Sequence, residues 1–298
     1  MRALVTGATG FVGGLLARKL LDEGYDVRCL VRDEGRAQDL ADAGAELHEG
    51  DVMKPDSLKG AGEDIDVAYY LVHGMGRGSD KDFVDRERET ASNFARTMKD
   101  EGVDRVVYLG GLGENPSSKH LKSRAETGRI LGEEGPDLTY FRAAMVVGAG
   151  SESYQTLRHL VRRLPVMIAP SWLNTPTQPV ASDDVISFLA QAPSVEESRG
   201  KEIQIGGPDV MSYKDMLDHM ARALGRRPRP KLPVPVLSPF LSSQWIGLVT
   251  PVDAGVAKPL VESLATKTVV TDPEPMKMFD ITPMGIDDAL KRAIEEED

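Results

Sequence analysis

The densest chemical signal in the chain is eight residues near its start, Thr6-Gly7-Ala8-Thr9-Gly10-Phe11-Val12-Gly13. Three glycines fall three apart, after the apolar run Arg2–Thr6 and at the head of a helix-periodic segment, Phe11–Glu23. One glycine permits a tight strand-to-helix turn with positive φ. A second removes a Cβ so that backbone N–H groups can approach a phosphate. The third lets helix and strand pack closely. The helix start at Phe11 and Val12 then offers unpaired N–H groups and its positive dipole end, and Thr9 adds a hydroxyl. This chemistry suits the pyrophosphate of a dinucleotide. A ligand-free glycine turn would look the same locally, so the reading rests on the strand before it, the helix after it and the βαβ units beyond.

A dinucleotide needs more than a phosphate cradle. The second strand should deliver the residue that reads the adenosine ribose, an acid for a free 2′-hydroxyl or an arginine for a 2′-phosphate. Here the strand ends Val31-Arg32-Asp33. Arg32, with Arg36 as a second contact, points to NADP; Asp33 keeps NAD open. Arg32 as a plain surface charge is the other reading. Asp51-Val52 follows the third strand, where Asp51 would accept from the adenine amino group and Val52 would pack on the ring, unless Asp51 is an ordinary turn cap. Leu71 at the end of the fourth strand, His73 in the loop after it and Gly110 at the end of the fifth are placed toward the inner half of the cofactor. Arg142 in the sixth should line the nicotinamide side and bind an anionic group, or form a structural ion pair.

These residues must be held by alternating elements. Strands are expected at 2–6, 26–32, 45–49, 65–72, 105–110 and 138–143. Helices are expected at 11–23, at 81–101 with Phe83, Ala91, Phe94, Ala95 and Met98 inward and the RERE run solvated, and at 118–134. Strands separated by helices imply right-handed crossovers and a parallel sheet. After Val147 the rhythm changes. A helix at 151–164 precedes an irregular, proline-punctuated stretch. Short strands follow near 178–182 and 201–206, then a helix from Ser212 to Leu224 with Asp215 as capping-box partner. Residues 228–260 are apolar but too rich in proline for one helix, and suit a substrate-pocket wall, a dimer surface or a self-packed cap. Residues 284–296 read as a polar helix. The fold class expected is α/β, a Rossmann-type doubly wound parallel sheet with a smaller C-terminal substrate-binding cap. The Rossmann core would span 1–147, continued by about 177–206; the cap would be 148–176 and 207–298.

Composition narrows the partners. The chain has 298 residues, 41% of them hydrophobic, and a formal net charge of −11 with basic residues scattered along it. That argues against nucleic acid as a partner and for a small molecule. The single cysteine, Cys29, lies in an apolar run and excludes an intrachain disulfide. No stretch reads as a signal peptide or a membrane span, so a cytoplasmic protein, monomer or homodimer, is expected. The five histidines show no metal-ligand spacing, so no metal site is expected.

Four segments, TGATGFVG (6–13), CLVRD (29–33), GDV (50–52) and YYLVHGMG (69–76), resemble the short-chain dehydrogenase/reductase superfamily. More narrowly they are similar to its extended and atypical members, the NmrA-like and epimerase-like proteins. YLGGLGE (108–114) and IGGPDVMSY (205–213) carry the resemblance over nearly the whole chain. It implies an NAD(P)H cofactor and leaves the substrate open. The usual catalysis of that superfamily uses a tyrosine with a lysine four residues later, on the helix after the fifth strand. None of the seven tyrosines here has that lysine. The matching helix carries His120-Leu-Lys-Ser-Arg124, so the resemblance puts His120 in the proton-donor position and Arg124, with Lys122 as an alternative, at the ribose or phosphate. The serine usual at the end of the fifth strand is replaced by Gly110-Gly111. The expectation is an oxidoreductase acting on a small apolar carbonyl or quinone-like substrate. Two alternatives are a non-enzymatic NmrA-like cofactor sensor and a nucleotide-sugar epimerase or dehydratase.

Overall fold

Short apolar runs joined by amphipathic helices can bury both faces only as a parallel sheet covered on each side. The computed structural model describes residues 1–72, 80–113, 118–234 and 264–297. In chain order the first half runs β1 (Arg2–Thr6), α1 (Phe11–Asp22), β2 (Asp26–Val31), α2 (Gln38–Asp42), β3 (Glu46–Glu49), β4 (Val67–Tyr70), α3 (Asp80–Asp100), β5 (Arg105–Gly111), α4 (Lys119–Glu134) and β6 (Asp137–Ala143). Then come β7 (Val146–Val147), α5 (Glu152–Arg163), β8 (Met167–Pro170), β9 (Pro176–Thr177), β10 (Val180–Ala181), α6 (Ser182–Gln191), β11 (Glu202–Ile205), β12 (Met211–Ser212), α7 (Tyr213–Ala223) and β13 (Lys231–Val234). A last helix, α8, spans Ile286–Glu295.

The main sheet has seven strands in the order β11-β6-β5-β4-β1-β2-β3, every pair parallel. Chain order reverses between β1 and β4. At such a switch point the crossovers leave on opposite faces and open a crevice at the carboxyl ends of the strands. One face is filled by Leu16, Ala17 and Leu20 of α1 with Val185, Phe188 and Leu189 of α6. The other holds Ala91, Phe94, Ala95 and Met98 of α3 against Tyr70 and Tyr108. A third cluster joins α5, α7 and α8 through Leu160, Met216, Leu217 and Leu290.

Two nearly buried arginines tie the amino-terminal edge of the sheet. Arg28 donates to the carbonyls of Gly60, Ala61 and Glu63 and pairs with Glu46. Arg105 donates to the carbonyl of Ala192 at 2.5 Å and pairs with Glu196 at 2.7 Å. The capping box at α7 forms as the sequence implies, Ser212 and Asp215 each satisfying the other's backbone N–H. Such a cap contributes about 1 kcal/mol.

Three local expectations need correction. The fourth strand is shorter than 65–72, because Leu71 leaves the ladder and gives its N–H to the Thr6 hydroxyl at 3.0 Å. The inward face of α3 begins later than expected: Ala91, Phe94, Ala95 and Met98 are fully buried, while Phe83 is half-buried and faces the crevice. Arg86 and Glu87, read as part of a solvated run, face the crevice beside it, and only Arg88 and Glu89 are exposed. The C-terminal helix is amphipathic rather than polar, burying Ile286, Ala289, Leu290 and Ala293. Of the proline-rich stretch 228–260, residues 235–260 lie outside the described residues.

Candidate cofactor and substrate cleft

At the switch point β1 runs straight into the glycine turn. Thr6 locks it there, donating to the Tyr69 carbonyl at 2.9 Å and accepting from Leu71. Gly7 has φ +68°, and a Cβ on it would lie 2.5 Å from the Leu71 carbonyl oxygen. Gly13 backs directly onto Gly7, where a Cβ would collide with the Gly7 carbonyl. Two of the three glycine roles, the positive φ and the close helix packing, thus fall on Gly7 and Gly13. Gly10 is the N-cap of α1, is exposed, and receives no side-chain cap. The first N–H groups of the helix therefore open into the crevice without a side-chain acceptor, as a pyrophosphate requires.

A cleft of about 900 Å³ runs from this turn along the carboxyl edge of the sheet. Its outer end is lined by Thr9, Arg32, Arg36, Asp51 and Val52. The Arg32 and Arg36 side chains are exposed and make no hydrogen bond or ion pair among the described residues. Asp33, the residue that kept NAD open, does not line the cleft; its Oδ1 accepts from the Gly35 N–H and caps the turn at 34–36. Asp51 accepts from the Met53 N–H through one carboxylate oxygen, leaving the other available to a ligand. Val52 is buried, its carbonyl held by the Asn93 amide.

The middle of the cleft is lined by Phe11, Val12, Leu71, Gly110, His120 and Arg124. Gly110 and Gly128 clasp the Tyr140 ring, and a Cβ at residue 110 would stand 2.6 Å from a ring carbon. Where the superfamily's serine is expected, the space behind the strand is already filled by an aromatic. Tyr140 stacks on Tyr108 at 5.0 Å, and both hydroxyls donate to the Arg124 carbonyl, at 3.4 and 3.2 Å. Arg124 in turn gives a guanidinium N–H to the Leu109 carbonyl at 3.2 Å. The stack thus sets the position of α4 on β5. His120 opens into the cleft, and burial, with Arg124 beside it, pushes its pKa down to about 3. The ring is neutral at pH 7. It can offer an N–H to a ligand oxygen, but it is not the acid titrating near neutrality that its position suggested.

Two candidates are not brought to the cleft. Arg142 is committed to structure, donating to the carbonyls of Gly111 at 3.1 Å and Gly113 at 2.7 Å and pairing with Glu202 at 2.6 Å. Its guanidinium satisfies the open end of β5 rather than facing a nicotinamide. Lys122 is exposed and does not line the cleft. His73 lies outside the described residues.

The inner end forms a chamber against α5 and α7, walled by Leu157, Leu160, Trp172, Leu217 and Leu264. Glu152, in the first turn of α5, is open to the cleft, and partial burial raises its pKa. Sequence reasoning missed Arg86, Glu87, Glu152 and Trp172. A signal existed for the first two, since Phe83, Arg86, Glu87 and Thr90 stand at helical spacing on one face. Nothing local marks Glu152 or Trp172, which reach the cleft only through the packing of α5 and the turn at 171–174 beside it. Among the described residues no cluster of three or more His, Cys, Asp or Glu could hold a metal, and no helix is long and apolar enough to cross a membrane.

Comparison with known proteins agrees with this geometry. Residues 7–143 match the NAD(P)H-binding family model. The photosystem II assembly factor Ycf39 of Synechocystis sp. is 25% identical over 245 residues, 80% of this chain and 72% of that protein. The Citrobacter sp. triphenylmethane reductase complexed with NADP(H) superposes with a TM-score of 0.77 at 18% identity, over 98% of this chain and 100% of that one. The NADPH-dependent quinone oxidoreductase of Escherichia coli, complexed with NADPH, gives 0.74 at 16% identity, over 99% and 100%. Residues 7–143 thus match the NAD(P)H-binding family model, within a chain that shares the fold of the triphenylmethane reductase and the quinone oxidoreductase.

Proposed function

We propose that the chain is an NADP(H)-dependent oxidoreductase whose acceptor is small and largely apolar, quinone-like or a reactive carbonyl. One observation carries the reading: a single cleft joins an uncapped glycine turn to an apolar chamber walled by α5 and α7. Arg32 and Arg36, with no protein partner among the described residues, would take a 2′-phosphate, and the placement of these two arginines, but not Asp33, along the cleft favours NADP over NAD. Asp51 and Val52 would hold adenine, and the start of α1 the pyrophosphate. The bound cofactor supplies a hydride, two electrons and one hydrogen nucleus. Neutral His120 would donate a hydrogen bond to the oxygen that gains charge on the acceptor, and the balancing proton would come from solvent. An acceptor whose reduced anion is stable, as a quinone's is, needs no stronger acid. That fits a cleft in which the Tyr–Lys pair is absent. Neighbours of the same fold include a reductase of triphenylmethane dyes and a quinone oxidoreductase.

A second reading is a cofactor-sensing or assembly protein that binds NADP(H) without turnover. The absent Tyr–Lys pair and the relative described as an assembly factor favour it. The apolar chamber disfavours a nucleotide sugar. Calorimetric titration with NADPH and NADH, followed by turnover of a quinone and carbonyl panel, separates the readings. Saturable NADPH binding with quinone reduction supports the enzyme. Binding without turnover across the panel supports the sensor, and no binding of either cofactor refutes both.

A further inference from the structure

The charge of this chain is not evenly spread. It holds 47 acidic residues in 298, yet 153–182 and 219–252 contain no Asp or Glu at all. Folding brings their residues 162–170 and 226–234 together. β13 lies parallel to β8, with Lys231 opposite Met167 and Leu232 opposite Ile168. The Met167 N–H donates to the Pro230 carbonyl at 2.9 Å, and Arg226 donates to the Arg162 carbonyl at 3.2 Å. Basic residues that looked scattered along the sequence thus gather on one surface. Arg162 and Arg163 end α5, and Arg226, Arg227 and Arg229 follow α7. Four of these five are exposed and Arg229 is half-buried. The neighbouring Arg158 and Lys231 are neutralised by Glu297 and Asp218.

Aliphatic side chains stand among these arginines. Val166 is 40% exposed and Leu232 59%, two of only five large hydrophobics so exposed among the described residues. Pro165, Pro228 and Pro230 are exposed beside them. A phosphate backbone alone would use the arginines and leave Val166 and Leu232 in water. An anionic bilayer surface accepts both, headgroup phosphates meeting guanidinium groups while the aliphatic side chains enter the interface. We propose that this surface, formed by the end of α5, the residues after α7 and the β8–β13 pair, docks the chain peripherally on anionic lipid. The proposal is independent of any redox activity.

The test is sedimentation of the full chain with vesicles of phosphatidylcholine alone or with 30% phosphatidylglycerol. At 0.1 M salt, partitioning should be at least about tenfold stronger on the anionic vesicles, and 0.5 M salt should abolish most of it. The triple variant Arg162→Gln, Arg226→Gln, Arg227→Gln should lose about tenfold or more. Leu232→Ser should weaken binding several-fold while keeping the salt dependence. A control triple, Lys59→Gln, Lys99→Gln, Lys291→Gln, should bind as the parent does, and unchanged melting of each variant shows that the fold is intact. Equal binding to both vesicle types, full binding by the arginine triple, or tight binding to a single-stranded RNA oligonucleotide with none to vesicles overturns the proposal.

Discussion

Arg32 and His120 both line the cleft, and their surroundings give them opposite characters. Arg32 is exposed and has no protein partner among the described residues, so its charge is available to an anionic ligand. Arg32→Ala should weaken NADPH at least about tenfold, as loss of a charge-assisted contact does, while NADH changes little. Equal losses for the two cofactors, read by calorimetry, would remove the 2′-phosphate assignment. His120 is held neutral by burial and by Arg124, with a pKa of about 3 against an ordinary 6.5. Between those values the unfolded chain binds a proton that the folded chain refuses. The stability present above pH 6.5 is therefore lost as pH falls through that window. Melting followed from pH 7 to 5 should decline less steeply for His120→Asn than for the parent, by up to about 1.4 kcal/mol per pH unit below 6.5. Parallel slopes would show that the ring is not desolvated. Turnover should likewise show no loss between pH 6 and 8 from an imidazolium losing its proton.

Among the elements, the seating of α4 on β5 depends on a ring where a serine was expected. The Tyr140 ring fills the space a side chain at Gly110 would need and stacks on Tyr108. Gly110→Ser, which supplies the serine that the sequence resemblance led one to expect, should therefore destabilise the chain by about 1–3 kcal/mol through overpacking. In a Tyr140→Val background the same substitution should cost clearly less, and a denaturation double-mutant cycle measures the coupling. Additive costs would mean that the ring does not occupy that space. Sequence legibility divides along the same line. The glycine turn, the strand-helix alternation and the Ser212 capping box were legible because each is set by residues within a few positions. Of the two readings of Arg142, the structural ion pair is the one that forms, and sequence could not choose between them because its partners, Gly111, Gly113 and Glu202, come from other elements. Phe83 was misplaced because helical period gives a face but not what the face meets. Glu152 and Trp172 could not be found, since only the packing of α5 and the turn at 171–174 brings them to the cleft.

For the molecule as a whole, one end of the sheet carries the cleft and the other is tied by arginines. Arg105 joins β5 to the turns after α6, and Arg28 joins β2 to the loop at 60–63. Arg105→Ala should cost about 3 kcal/mol, because the carbonyl of Ala192 loses a buried donor and Glu196 its partner. NADPH affinity of the surviving folded fraction should stay unchanged, since Arg105 does not line the cleft. A large affinity loss at unchanged melting temperature would contradict this division between the two ends. At the cleft end, α5 and α7 serve two surfaces: Leu157 and Leu217 wall the chamber, and the arginines at and beyond the ends of these helices form the basic surface.

The position of Trp172 has a practical consequence. It is one of two tryptophans in the chain and it stands in the chamber wall. Indole emission overlaps the near-ultraviolet absorption of a reduced nicotinamide, and it shifts when water beside the ring is replaced by an apolar molecule. The protein therefore carries its own optical gauge of occupancy. Quenching on addition of NADPH would report the cofactor, a blue shift on adding an acceptor would report the chamber, and Trp172→Phe would remove this residue's share of both without touching the glycine turn.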